Sequence, residues 1–198
     1  MKSYSILLLS VILISTSCKQ KKETATSAGA ETKNFISVLS LIEKQVAHVD
    51  TSLYAITKIV YTDSLHIDTS YIHREDFRSV AKEFLGIPDL SVKKVAKNYK
   101  EETRYDELLN RVIITYTPVN ADEAEIKKQE LQVTPDIATG DKVNNVLITL
   151  VINNRNGFLK KDMLWQMDKS FQIVTTTRQP GQPEIIITTK VTWNEDNN

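Results

Sequence analysis

The 198-residue chain has a single cysteine, Cys18. A lone thiol makes no intrachain disulfide, no cysteine-rich zinc site and no Cys-x-x-Cys redox pair. The fold must therefore be held by core burial, without covalent staples. Glycine is scarce as well, with five residues in all. Gly-x-Gly-x-x-Gly, Gly-x-Ser-x-Gly and the phosphate loop are all missing. Each of those needs glycine where the backbone turns sharply or closes on a ligand. Net charge is lacking too: 25 basic residues meet 25 acidic ones. A nucleic-acid partner asks for a basic face, so the balance argues against one. No apolar run approaches the ~20 residues that span a bilayer. Together these absences argue against an enzyme.

The N-terminus holds the most specific pattern. Lys2 precedes an unbroken run rich in Ile and Leu over residues 6–14, and Ser15-Thr16-Ser17-Cys18 follows. One positive charge, a short apolar core and small residues before a cut are the layout of a secretory signal. The polar stretch that comes next, Lys19-Gln20-Lys21-Lys22-Glu23, rules out a buried helix continuing from it. These residues resemble the bacterial lipoprotein signal, whose lipobox ends in two small residues and an invariant cysteine. Thr16, Ser17 and Cys18 match that pattern, while Ser15 stands where the family prefers Leu. The resemblance covers residues 1–18 only. It implies cleavage before Cys18 and diacylation of its thiol, giving a membrane partner through the lipid anchor. It also implies that no free thiol remains in the mature chain.

Residues 1–17 are thus expected to be the signal peptide, and 18–33 the lipidated cysteine with a tether. Residues 34–198 are expected to form one domain. The tether is rich in Thr, Ala, Ser, Lys and Glu without apolar period. Such a coil reaches about 20 Å, at 5–6 Å times the square root of its length.

From Phe35 an apolar stripe begins: Phe35, Leu39, Ile42, Val46, Val49, Leu53, Ile56 and Val60 recur in alternating steps of four and three. That spacing keeps them on one helical face. The flanking positions offer no complementary charges and several further apolar residues, so a helix lying on its own sheet is favoured over a coiled coil. Asp50-Thr51-Ser52 either interrupts the helix or leads into a strand over 55–61, where β-branched residues cluster. A second helix is expected around Phe77, Val80, Ala81, Phe84 and Leu85. Glu75 and Asp76 load its first turn, and Gly86 and Pro88 stop it. After Pro88 the pattern turns to strands, near 92–105, 109–118, 124–133, 142–153, 158–167, 169–178 and 184–193. The fold class expected is α+β, with N-terminal helices packed on a curved antiparallel sheet of six to seven strands.

Candidate chemistry is thin. Ser79-Val-Ala-Lys82 and Ser91-Val-Lys-Lys94 match the Ser-x-x-Lys of penicillin-recognising enzymes. The companion Ser-Asp-Asn and Lys-Thr-Gly elements are missing. His48, His66 and His73 sit among several carboxylates, but two metal-binding histidines on a helix stand four apart, and these do not. No cofactor is expected. A ligand-free reading also suits the aromatics Tyr99, Tyr105, Tyr116, Phe158, Trp165, Phe171 and Trp193, whose usual place is the core of a sheet.

Beyond the signal, the Lys/Ile/Thr/Asn-rich composition resembles that of small envelope lipoproteins of Bacteroidota. That resemblance implies an address and no functional residues. The lack of Asp after Cys18, and of acidic residues close behind it, implies the outer membrane facing the periplasm. The function expected is a non-enzymatic module binding an apolar ligand or an envelope protein. One alternative is an assembly partner that docks through the 35–60 stripe or a strand edge, and a third is a hydrolase with unlocated carboxylates.

Overall fold

A computed structural model describes residues 34–194 apart from positions 54, 64, 65 and 139. The expected signal peptide, Cys18 and the tether lie outside the described residues.

The apolar stripe forms a helix for only part of its length. Helix α1 covers Val38–Thr51. Ser37 caps it, its hydroxyl accepting from the Ser40 N–H at 3.1 Å and donating to Asp89 at 2.8 Å. This satisfies a backbone donor that the helix leaves open at its start. At the other end hydroxyls do the same for the last carbonyls. Thr51 donates to His48 O at 3.0 Å and Ser52 to Val49 O at 2.9 Å. The triplet Asp50-Thr51-Ser52 is therefore a helix stop. Leu53, counted in the stripe, is 93% exposed, and Ile56 is buried from a strand instead. That strand, β1, runs Ile56–Tyr61, and β2 runs Ile67–Ile72. The buried positions of α1 are Val38, Ile42, Val46 and Val49. Together with the preceding Phe35 they join the main core, as a helix packed on its own sheet requires.

The second expected helix is present in broken form. A 3-10 turn at Arg74–Asp76 leads into α2, Phe77–Val80, and α3, Lys82–Leu85, with Ala81 between them. Phe77, Ala81 and Phe84 are buried on one side, as their spacing demands. A further turn, α4, covers Lys93–Ala96.

The remaining strands are β3 Tyr99–Asp106, β4 Arg111–Pro118, β5 Ile126–Thr134, β6 Lys142–Asn154, β7 Gly157–Gln166, β8 Ser170–Arg178 and β9 Ile185–Thr192. All pairs are antiparallel, in the order β2-β1-β9-β8-β7-β6-β5-β4-β3. The described residues form one antiparallel sheet of nine strands with a few short helices. This corrects the expected six to seven strands. β1 and β2 form a hairpin that joins the meander alongside β9; β1 matches the alternative strand over 55–61, and β2 was not foreseen. The helices are also a smaller share of the fold than expected. Part of the expected strand at 92–105 is α4 and a turn.

The helical segments share their core with one face of the sheet. Rows set by the strand register run Val146–Trp165–Phe171–Val191 and Ile148–Met163–Ile173 across β6 to β9. These side chains are buried with those of α1, α2 and α3. Trp165 stacks on Phe171 at 5.2 Å, and Phe84 meets Trp165 edge-on at 5.0 Å. Phe77 meets Trp193 edge-on at 5.1 Å. Polar clamps hold the layer in place. Gln45 of α1 donates to Asp168 at 2.9 Å and accepts from the Asp168 N–H at 2.8 Å. Lys161 of β7 pairs with Glu83 of α3 at 2.7 Å.

Tyr116 fixes the entry to α1. Its ring stacks on Phe35 at 4.3 Å, and its hydroxyl accepts from the Ile36 N–H at 3.0 Å. Burial pushes its pKa up to about 12, and the nearby Glu101 carboxylate adds to the rise while the Ile36 N–H opposes it. A raised folded-state pKa means that the contribution is whole below pH ~10, the ordinary tyrosine value, and fades as pH climbs through about 12. Urea melts at rising alkaline pH should show a loss on the order of 2 kcal/mol across that window. Tyr116→Phe should remove most of this loss. If wild type and variant lose stability in parallel, the assignment to Tyr116 is wrong.

Candidate functional site

Two features of the described surface stand out. The first follows from the register of the helix face. Past the row of Ile148, Met163 and Ile173, the next rows of that face are Leu150–Lys161–Thr175–Ile187, where Lys161 meets Glu83 of α3, and Ile152–Leu159–Thr177–Ile185. Leu150, Ile152, Leu159 and Ile187 are half-buried, and Ile185 is 46% exposed. The apolar face thus continues past the last strongly buried row, formed by Ile148, Met163 and Ile173. The sequence explains why. β6, at 13 residues, carries its alternation to Ile152, and β9 begins its own at Ile185. The strands extend the period-two pattern further than α1 to α3 extend their cover.

The second feature is a cleft of about 430 Å³ between α4, the start of β3 and the β4–β5 loop. Val95, Tyr99, Val119 and Ile126 supply its apolar surface, with Lys97, Glu123 and Glu125 among its polar groups. Tyr99 donates to Ile126 O at 3.3 Å. Burial raises its pKa, and the Glu125 charge raises it further. Lys127 donates to the Ala124 carbonyl at 2.6 Å and to that of Ala121, closing the loop beside the cleft. The cleft has no serine, histidine or cysteine in its lining.

The sequence candidates are dispersed. His48 lies exposed on α1, while His66 and His73 flank the two ends of β2. Six residues of extended chain separate those ends by about 20 Å. His66 contacts Asp63 at 2.7 Å. No group of three or more His, Cys, Asp or Glu among the described residues is placed to hold a metal ion. Ser79 and Lys82 are both exposed, and Ser91 donates its N–H to Asp89 at 3.0 Å with Lys94 exposed beyond it. Of the 35–60 stripe, Phe35, Ile42, Val46, Val49 and Ile56 are buried in the core, and Leu53 is exposed. The aromatics divide. Trp165, Phe171, Trp193, Tyr116 and Tyr99 are core, Tyr105 is exposed, and Phe158 takes the Arg178 guanidinium over its ring at 5.2 Å. No helix among the described residues is long and apolar enough to cross a membrane.

Neither candidate feature was visible in the sequence, because each depends on register or on loops meeting in space. No family model matches the chain, and no curated protein or solved structure matches it either.

Proposed function

We propose that this chain is an outer-membrane lipoprotein, anchored at Cys18 and facing the periplasm, whose domain is a non-enzymatic module that docks an envelope protein. The finer architecture belongs to the same proposal: helices cover half of one sheet face and leave the rest for a partner. The observation that carries the docking reading is the apolar band of Leu150, Ile152, Leu159, Ile185 and Ile187, which continues the core face. The space under the helices is filled by packed rings, which favours a partner laid on the sheet over a ligand enclosed beneath it. Sheets bury an apolar face against another layer, and a bare remainder is a usual mark of an interaction site.

A second reading rests on the cleft at α4. Its volume is within the range of small-molecule sites, roughly 300–1,000 Å³. A photoreactive residue placed at Leu159, Val119 or Leu164 in the full chain, in its own envelope, separates the two. Leu164 is the control, because it points to the opposite face of the same strand. Protein adducts from position 159 with none from 164 support docking on the band. Small-molecule adducts from position 119 favour the cleft. Equal labelling from 159 and 164 rejects the band.

A further inference from the structure

Among the described residues, the strand order leaves β2 and β3 each with one unpaired side. Residues 100–105 of β3 are all exposed. Its pairing with β4 shows which backbone groups face outward. Asn98 O accepts from the Val119 N–H at 2.8 Å, and Asn98 stands opposite Val119 in the same register. In an antiparallel ladder, residues that bond to one neighbour alternate with residues that bond away from it. Asn98, Lys100, Glu102 and Arg104 therefore turn their backbone groups to β4, while Glu101, Thr103 and Tyr105 turn theirs outward.

The side chains add a code to this edge. Lys100, Glu102, Arg104 and Asp106 share one face, so its charges read plus, minus, plus, minus. Reversed, that series becomes minus, plus, minus, plus. The edge is complementary to its own antiparallel copy. β2 has no such code, since Asp68 is its only charge.

We propose that two copies of this chain associate edge to edge through β3. The twofold axis is perpendicular to the sheet and passes between the two Thr103 residues. That axis keeps the faces of the two copies aligned, so residues of equal parity meet. Lys100 then stands opposite Asp106 of the second copy, and Glu102 opposite its Arg104. Glu101 stands opposite Tyr105 on the other face, and the outward backbone groups of Glu101, Thr103 and Tyr105 bond across the seam. Registers centred on Glu101 or Tyr105 leave part of the charge series without a counterpart. The exposed Arg104–Asp106 pair, at 3.3 Å within one strand, is shared between the copies in this arrangement. The interface is isologous, as closed dimers require, and it is independent of the apolar band.

Thr103→Cys in the full chain tests it. Directly opposed residues that exchange both bonds have Cα atoms about 5.5 Å apart, within disulfide reach. Mild oxidation should give a covalent homodimer, while the parent chain under the same conditions gives none, which removes Cys18 as the source. Adding Glu102→Arg sets two arginines face to face, and cross-linking should fall about tenfold as both symmetric pairs turn repulsive. Adding Arg104→Glu as well should restore it. Lys100→Glu sets two carboxylates face to face at the independent pair with Asp106 and should lower cross-linking in the same way, should Glu102→Arg disturb the fold. A monomer from Thr103→Cys overturns the proposal. So does equal cross-linking in all the charge variants, or a dimer obtained from Thr69→Cys on β2 in its place.

Discussion

Trp165→Ala is expected to lower the unfolding free energy by about 3–5 kcal/mol, the cost of truncating a buried aromatic side chain. For a domain of this size that corresponds to a melting temperature lower by about 10 °C. The loss is large because Trp165 is wholly buried where the helical layer and the sheet meet. Phe77, Phe84, Phe171 and Trp193 all lie within 6.4 Å of its ring, centroid to centroid. No disulfide is available to hold the chain while that contact is lost. Among the described residues the indole N–H meets no hydrogen-bond acceptor, so the loss is one of packing and transfer from water. Trp165→Phe should accordingly cost much less than Trp165→Ala. Leu108→Ala, at a residue 98% exposed, should be neutral and serves as the control. Thermal melts of the three variants check this, and similar shifts for Trp165→Ala and Leu108→Ala would remove Trp165 from the core.

The interior strands after Pro88 were legible where burial on one face imposes an alternating pattern, most plainly on β8. Phe171 and Ile173 face the core, and Gln172 lies on the other side. Ile187 and Val191 repeat the pattern on β9. β2 was illegible for the complementary reason. Its Ile67-Asp68-Thr69-Ser70-Tyr71-Ile72 is an edge strand paired only with β1, with Ile67 57% and Tyr71 82% exposed. Without a buried face, no alternation is imposed for a reader to find. The stripe from Phe35 failed at its far end because helical spacing persists by chance through Leu53, Ile56 and Val60. The Asp50-Thr51-Ser52 triplet reported the break, and its hydroxyls do cap the helix. The β-branched cluster over 55–61 reported the strand that follows, β1.

The candidate sites needed more than local pattern. Leu150, Leu159 and Ile185 come from three strands, and only the pairing Leu159↔Thr177↔Ile185 puts the last two in one row. The cleft at Tyr99 is assembled from a helix, a strand and a loop. The charges of β3 were plain in the sequence, yet on an interior strand the same alternation is only a solvated face. Edge position gives it a use.

Cys18→Ala is the other change with a large expected effect, and it acts on location alone. Two or more acyl chains anchor a protein stably, where one chain binds marginally. Loss of the thiol that would carry them should shift nearly all of the chain from the membrane fraction to the soluble one and abolish labelling by a palmitate analogue. The domain should stay folded, because its core is built from Phe35 and residues after it. The melting temperature of the released domain should therefore match that of the anchored protein. Labelling that persists in Cys18→Ala rejects the lipoprotein reading. Loss of labelling with the protein still on the membrane has a different meaning: the domain then has a membrane-bound partner of its own. In that case the adduct from position 159 should survive the substitution, because docking on the band does not pass through the lipid. If release from the membrane also removes that adduct, the partner is met only at the membrane surface, and the anchor's part in docking is to concentrate the two together.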